Sequence, residues 1–408
     1  MTAVLPQPSA VFGQTPIQYT AKYPVASRRI NANDKDTKKY YETSYEPNLE
    51  WWSTNQANYV KPAEDPLPEG FPQQVSSPSL WDGKILASQP EKWLYTFTAN
   101  DLEVLEQAHS HFVSLNLTNN DITQETFPIP TTSPLYVTLK HASEEVKLGL
   151  GFQVLRGLPV DHWDRSKQLQ IFAGISAYIG KDRIAIGDKV VTHLRDITNL
   201  PADSRPPIVV KGQTSGNQVF HNDGAAGVVA LITLGVAETG GLSQLSSVAQ
   251  TYNELARTRR DIIRELAKND WVNKSAPRGR AQIHAINEGQ EVISLYSRRP
   301  FFGFYESDAE VPPLAEAKHL ALDAVHFTAE KFSIDLELQK GDLEYFNNLA
   351  VYHARTSSKD SEKNQRHLVR LWLSNGEEVL PESLVESFHK AREESKSASG
   401  WPLEAWDA

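Results

Sequence analysis

The sequence of 408 residues contains no cysteine, and its only methionine is the first residue. The absence of cysteine excludes disulfides, thiolate metal sites, iron–sulfur clusters and a cysteine nucleophile. Any metal ion must therefore be bound by histidine, aspartate, glutamate or water.

The sequence also lacks long apolar runs and blocks of basic residues. No run of about 18 apolar residues occurs, and the opening MTAVLPQPSAVFGQTP has neither the basic nor the apolar region of a signal peptide. The 51 acidic residues outnumber the 41 basic ones, giving a net charge of −10, which is unlike the footprint of a nucleic-acid-binding protein. We therefore expect a cytoplasmic protein that binds neither membranes nor nucleic acids.

The N-terminal part differs in composition from the rest of the chain. Residues 1–88 are rich in Pro, Asn, Gln, Lys and Tyr, which predicts an extended, irregular segment. Trp51, Trp52 and Trp81 fall within it, and their large apolar area predicts that parts of it are pinned onto a core.

Strand and helix patterns alternate beyond this segment. A helix is predicted in FTANDLEVLEQAHSHF, where Thr98 and Asp101 form a capping box. Many short strands with inserted helices favour a mainly β fold of the α+β class, a sandwich or barrel with helical decoration. The predicted strands are GFQVLRGLPV, KVVTHLRDI, PPIVV, NQVFHND, GVVALITLGVA, GDLEYFNNLAVYHAR and RHLVRLWLS, and the further helices are DHWDRSKQLQIFAGISAYIG, SSVAQTYNELART, RRDIIRELAK and PLAEAKHLALDAVHFTAEKF.

Two H-x-D patterns are candidates for metal ligation, His162 with Asp164 and His221 with Asp223. Residues two apart in a strand point to the same face, so such a pair can present an imidazole and a carboxylate to one metal ion. Asp164 precedes a predicted helix, which favours a simple N-cap role. For the second pair, a strand-end histidine with a turn aspartate is the alternative interpretation.

A third histidine and two arginines lie near the end of the predicted core. Arg366 follows His353 by 13 residues, and Arg370 shares its strand face, with the two Cα atoms roughly 13 Å apart at about 3.3 Å per residue. Buried arginines need anionic partners. Two histidines and a carboxylate with open metal positions form the facial triad of non-haem Fe(II) oxygenases, and an arginine beyond them can bind a dicarboxylate cosubstrate.

The order H-x-D, a gap of about 130 residues, a second His and then R-x-x-x-R resembles the Fe(II)- and 2-oxoglutarate-dependent dioxygenases of the taurine dioxygenase (TauD/TfdA) family, especially its long fungal members. GFQVLRGLP, ETGGLSQLSS and GDLEYFNNLAVYHAR match as well. The resemblance covers about residues 145–375 and is weaker from about 65 to 145. It implies a double-stranded β-helix (jelly-roll) core over residues 89–380, with residues 1–88 packed on it and a C-terminal tail over 381–408.

Carried over by position, the resemblance makes His221, Asp223 and His353 the iron ligands at the catalytic centre. Arg366 would bind the distal carboxylate of 2-oxoglutarate. Ser243 stands where the family has a threonine that assists this carboxylate, and it keeps the hydroxyl group.

Further residues are candidates for contacts with the substrate. Arg370 matches a second arginine that faces the anionic end of the substrate in taurine dioxygenase; a structural salt bridge is the alternative. In SRRPFFGF, Arg299 and Phe301 are predicted to line a substrate pocket together with their neighbours Arg298 and Phe302, and a packed loop is the alternative.

Three further residues are expected to have structural roles. Asn347 and Asn348 are expected to order the strand that leads to His353. His367 lies on the opposite strand face from Arg366 and Arg370, which indicates a structural side chain.

The resemblance implies an enzyme that uses Fe(II), 2-oxoglutarate and O2 to oxidise a C–H bond of a small molecule, releasing succinate and CO2. The arginines favour an acidic or zwitterionic substrate such as an amino acid or a sulfonate. Hydroxylation is the default outcome, with desaturation or oxidative cyclisation open. The alternatives are a jelly-roll hydrolase or isomerase that uses Zn(II) or Mn(II), and a β-sandwich binding protein without catalysis. Association between copies of the chain is also left open.

Overall fold

The computed structural model describes residues 46–201, 211–272, 279–301 and 314–407, together with a short antiparallel pair, Arg29–Ile30 (β1) and Tyr41–Glu42 (β2). The predicted strand PPIVV lies outside the described residues. The helices in the described part are α1 Leu49–Asn58, α2 Gly83–Leu86, α3 Ala99–Ser114, α4 Pro134–Leu148, α5 Arg165–Ser176, α6 Val248–Thr258, α7 Arg260–Leu266, α8 Glu316–Lys331 and α9 Glu382–Ser395.

Besides β1 and β2, the strands in the described residues form two main sheets and two small pairs. The strands are β3 Leu94–Thr96, β4 Phe152–Arg156, β5 Asp182–Ile184, β6 Val191–Arg195, β7 Gln218–His221, β8 Val228–Gly235, β9 Thr239–Gly240, β10 Ser243–Ser247, β11 Ile283–Ile286, β12 Glu291–Ser294, β13 Ile334–Leu336, β14 Leu343–Asn347, β15 Val351–Arg355, β16 Ser358–Lys359 and β17 His367–Ser374.

The larger sheet has the order β3-β4-β14-β8-β17-β5, with β6 also paired to β17, and the smaller sheet has the order β13-β10-β15-β7. All pairs in the two sheets are antiparallel except β3 with β4. The hairpin β11-β12 and the pair β9-β16 stand outside them. The expectation of a mainly β core with inserted helices is confirmed.

Strand periodicity explains how the two sheets are layered. On β8, Val229 and Leu231 enter a core shared with Leu245 of the smaller sheet, whereas the alternate residues Ala230 and Ile232 enter a core shared with α3, α4 and α5. The smaller sheet is covered on its other side by α6, α7 and α8. Each large apolar side chain removed from water in these layers contributes about 1.5–3 kcal/mol. The two sheets therefore face each other between two layers of helices.

The stretch GDLEYFNNLAVYHAR, expected as one strand, forms two. β14 belongs to the larger sheet and β15 to the smaller one. Asn347 makes the turn between them, since its side chain accepts a hydrogen bond from the backbone N–H of Leu349 at 3.0 Å and its carbonyl accepts from Ala350 at 3.2 Å. The chain thus crosses from one sheet to the other six residues before His353.

The N-terminal and C-terminal parts pack on this core. Trp81 is buried, and its indole N–H donates to the carbonyl of Leu150 at 2.8 Å, so the chain packs on the core at that position. The expected irregular segment also contains α1, which begins after Asn48 because the Asn48 side chain accepts from the Trp51 N–H at 2.9 Å. At the other end, α9 is followed by a segment whose Pro402 carbonyl contacts His193 of β6.

No helix in the described part of the chain is both long enough and apolar enough to cross a membrane.

Candidate metal centre and active site

The structure brings His221, Asp223 and His353 together. One ligand atom from each lies within 4.8 Å of the other two. Oδ1 of Asp223 is 3.7 Å from Nε2 of His221 and 3.8 Å from Nε2 of His353. Within the described residues this is the only group of three or more such side chains that could hold a metal ion.

Strand pairing places the two histidines. His221 ends β7 and lies in register with His353 on the antiparallel strand β15, with the ring centroids 4.0 Å apart. Cross-strand neighbours on one face are the closest side-chain pairs that a sheet offers. The ring of Phe346 on β14 packs 4.7 Å from the ring of His353 and restricts its orientation.

The histidines are in the form that binds metals. Nδ1 of His221 lies 2.8 Å from the carbonyl of Val219, and because a carbonyl only accepts, Nδ1 donates and Nε2 carries the lone pair. Burial lowers the pKa of His221, and burial together with the neighbouring His221 lowers the pKa of His353 to about 3. Two neutral imidazoles therefore face the carboxylate, as a divalent metal site requires.

Asp223 is held as a carboxylate by two donors on β17. Its Oδ2 accepts from Arg370 Nη1 at 2.8 Å and from Trp372 Nε1 at 2.7 Å. Burial opposes ionisation, but the guanidinium of Arg370 outweighs it, and the pKa of Asp223 is lowered to about 2. Because both donors occupy Oδ2, Oδ1 is the oxygen that faces the histidines.

A pair of asparagines fixes the backbone between the strand and the ligand. Oδ1 of Asn348 accepts from the N–H of Asp223 at 2.8 Å, and its Nδ2 donates to the carbonyls of Asp223 and Ala226. Nδ2 of Asn222 donates to the carbonyl of Asn348 at 2.6 Å, and its Oδ1 accepts from the Tyr296 N–H. The H-x-D turn is thus held in place by buried amides.

Arg366 lies across the space between the sheets from this cluster and is 8% exposed. Its Nε makes no hydrogen bond, and the carboxylates near enough to act on its charge are those of Glu344 and Asp360. Burial, reinforced by the neighbouring Arg355, lowers the pKa of Arg366 to about 9. Gly241, with φ +73°, makes room for it, because an added Cβ would lie 2.9 Å from its Cδ.

Ser243 stands at the start of β10, beside Arg366 on the wall of the same cavity. Its hydroxyl lies 2.8 and 2.9 Å from the two carboxyl oxygens of Glu344 on β14. Glu344 was not among the residues predicted from the sequence. The signal that could have indicated it is an acidic residue among the apolar residues of the strand LEYFN.

A cavity of about 350 Å³ joins these groups. Arg299 lines it, whereas Phe301 does not: its ring packs edge-on against Trp271 at 5.3 Å, in the core around α6, α7 and α8. Arg298 reaches the wall but forms a buried ion pair with Asp323 at 2.7 Å. Phe302 lies outside the described residues. The cavity is lined by His221, Asp223, Ser243, Arg299, His353, Arg366, Arg370 and Trp372, among others.

The remaining sequence-based predictions concern structural residues. Asp164 is the N-cap of α5 and accepts from the Lys167 N–H at 2.8 Å, as expected. His367 points away from the cavity and bonds to His193 at 2.7 Å. Asn348, expected to order the approach to His353, also binds the backbone of the H-x-D turn.

Solved structures share this fold. An asparagine oxygenase in complex with Fe(II), 3-hydroxyasparagine and succinate matches with a TM-score of 0.53 at 16% identity, covering 69% of this chain and 93% of that one. The non-haem iron oxygenase OrfP in complex with iron and α-ketoglutaric acid matches with a TM-score of 0.51 at 13% identity, covering 69% and 94%. The fold class is therefore the double-stranded β-helix of non-haem iron oxygenases.

The sequence comparisons give the family. The model of the "Taurine catabolism dioxygenase TauD, TfdA family" matches residues 114–372. The taurine hydroxylase-like protein SAT17 of Stachybotrys chartarum is 30% identical over 310 residues, which are 73% of this chain and 79% of that protein. The chain belongs to the TauD/TfdA family of dioxygenases. The expected family, fold and enzyme class are thereby confirmed, and Fe(II) with 2-oxoglutarate is the cofactor pair of that class.

Proposed function

We propose that this enzyme oxidises a C–H bond of a small acidic or zwitterionic molecule, with Fe(II) held by His221, Asp223 and His353. The observation that carries the proposal is Arg366, a buried cation that opens onto the same cavity as the histidines and the aspartate. A 2-oxo dicarboxylate fits both the metal ligands and Arg366, because one end can chelate the metal while the other end pairs with the arginine.

The residues around the metal centre set its charge and orientation. Two neutral imidazoles and one carboxylate leave a single positive charge on bound Fe(II), which suits an anionic chelator. Arg370 and Trp372 keep Asp223 oriented through Oδ2. Bound Fe(II) supplies the activation of O2 that couples decarboxylation of 2-oxoglutarate to succinate and CO2 with oxidation of the substrate. The protein contributes orientation and exclusion of water.

We assign Ser243 and Arg366 to the distal carboxylate of 2-oxoglutarate and Arg299 to the substrate. Arg370 lines the cavity too, with its guanidinium bound to Asp223, and both arginines are candidates for the acidic group of a substrate. An amino acid or a sulfonate fits this chemistry. The related structures hold hydroxylated amino acids, and the fungal relative is named for taurine hydroxylation. We propose that residues 89–380 form the catalytic domain.

A jelly-roll hydrolase or isomerase with Zn(II) would use the same three ligands but would leave Arg366 without a role. The discriminating experiment measures succinate release with Fe(II) and 2-oxoglutarate across a panel of amino acids and sulfonates. Stimulation by one class identifies the substrate, and Arg299→Gln should raise its KM while leaving the affinity for 2-oxoglutarate unchanged. Turnover of the panel with Zn(II) and without 2-oxoglutarate would contradict the proposal.

A further inference from the structure

Glu344 is a fully buried carboxyl group that the proposed function does not use. It is the second residue of β14, with Val154 of β4 and Leu231 of β8 opposite it in register. Its side chain points to the smaller sheet, where the hydroxyl of Ser243 lies 2.8 and 2.9 Å from its two oxygens. Glu344 thus stands directly behind a residue of the cavity wall.

The charged groups around Glu344 are few. Arg366, directly before β17, favours its ionised form, and Asp342, directly before β14, disfavours it. Asp342 is itself paired with Arg156 of β4 at 2.7 Å, and Arg355 of β15 acts on Arg366. Burial is the largest influence, and it raises the pKa of Glu344 to about 7.

Hydrogen-bond counting shows a conflict between an ionised Glu344 and a bound cosubstrate. A serine hydroxyl has one proton to donate. If Glu344 is a carboxylate, Ser243 must give that proton to it, and its oxygen then offers only lone pairs to an arriving carboxylate. The Glu344 carboxylate and the carboxylate of 2-oxoglutarate would also compete for Arg366 in a site from which water is excluded.

We infer that Glu344 is a positioning residue that must be protonated when 2-oxoglutarate binds. Its O–H then donates to Oγ of Ser243, and the O–H of Ser243 is free to donate to the distal carboxylate at Arg366. Binding takes up one proton from solvent when Glu344 starts ionised. This inference rests on the proposed function, since it places that carboxylate beside Ser243 and Arg366.

The affinity for 2-oxoglutarate should fall as the pH rises, because binding is coupled to protonation of Glu344. Below the pKa of the free enzyme, about 7, Glu344 already carries the proton, and binding of 2-oxoglutarate is independent of pH. A second carboxylate nearby raises that pKa further, so above pH 7 binding requires proton uptake. The dissociation constant of 2-oxoglutarate should then rise by up to about tenfold per pH unit.

The test is calorimetric titration of 2-oxoglutarate into the Fe(II)-loaded protein without O2, in two buffers of different ionisation enthalpy. At about pH 8 the wild type should take up close to one proton, and Glu344→Gln, which keeps a donor to Ser243 but does not titrate, should take up none. The matched control is Glu330→Gln, because burial also raises the pKa of Glu330, which lies on α8 and does not line the cavity. It should behave as the wild type.

The outcomes separate the two proposals. Binding of 2-oxoglutarate without proton uptake by the wild type, or with equal uptake by Glu344→Gln, overturns this inference and leaves the proposed function standing. Absence of binding at saturating Fe(II) overturns the proposed function and this inference with it.

A second measurement uses the wild type alone and therefore does not depend on the folding of a variant. At about pH 8, infrared difference spectra recorded on addition of 2-oxoglutarate to the Fe(II)-loaded protein without O2 should show the gain of a buried carboxylic acid C=O band. Binding of 2-oxoglutarate without this gain overturns the inference.

Discussion

His221 and His353 lie directly opposite each other on antiparallel strands, with their ring centroids 4.0 Å apart. The pairing of β7 with β15 therefore brings two distant parts of the sequence to one point.

Replacement of His353 by alanine should reduce the affinity for Fe(II) by more than about 100-fold, since loss of even an outer-shell partner of a metal costs about 10- to 100-fold. Equilibrium titration with Fe(II) without O2 measures the effect, and succinate production should disappear with it. The control is His141→Ala, an exposed histidine on α4. Wild-type affinity and turnover in the His353 variant would show that the ligand assignment is wrong.

Trp372→Phe should weaken Fe(II) binding about 10- to 100-fold without unfolding the protein. The indole N–H donates to Oδ2 of Asp223 at 2.7 Å, and phenylalanine keeps the ring but removes the donor. Trp163→Phe is the matched control, because it removes a bond to Glu106 away from the cavity. Equal Fe(II) affinities for the two variants would argue against a role for Trp372 in orienting the carboxylate.

Arg366→Ala should weaken 2-oxoglutarate binding by about 100-fold or more and leave Fe(II) affinity nearly unchanged, because it removes a buried partner of one carboxylate only. Arg366→Lys should recover only part of the affinity, since a lysine cannot form the planar two-bond contact. The two affinities are measured separately on the same preparation. Parallel losses of both would mean that Arg366 supports the fold rather than the cosubstrate.

Asn348→Ala should lower the free energy of unfolding by about 3 kcal/mol, because it removes several buried hydrogen bonds and leaves the N–H of Asp223 without its partner. Urea unfolding with an unchanged m-value measures the loss. Its neighbour is the control: Asn347→Ala removes a bond to the Leu349 N–H and should cost less than about 1.5 kcal/mol. Similar costs at the two positions would contradict the role given to Asn348.

The parts of the site that follow from short-range pattern could be predicted from the sequence. His221 and Asp223 lie two residues apart where β7 ends, Arg366 and Arg370 lie four apart where β17 begins, and both pairs line the cavity. The capping box of Thr98 with Asp101 was confirmed for the same reason.

The parts that depend on packing between distant elements could not be predicted. The crossing from β14 to β15 depends on a turn inside one apolar stretch, and α1 depends on the cap supplied by Asn48. The partner of Glu344 is a serine on the opposite sheet. Phe301 packs against Trp271 instead of lining the cavity, and no spacing rule indicates which way an aromatic ring beside a short turn will face.

The proposed function requires that one cavity holds Fe(II) and 2-oxoglutarate as a chelate. Its most direct test is the visible absorption of the protein without O2, recorded after Fe(II) and again after 2-oxoglutarate. We expect a metal-to-ligand charge-transfer band that needs both additions and is lost in His353→Ala. A wild-type protein that binds Fe(II) but develops no such band at saturating 2-oxoglutarate would contradict it.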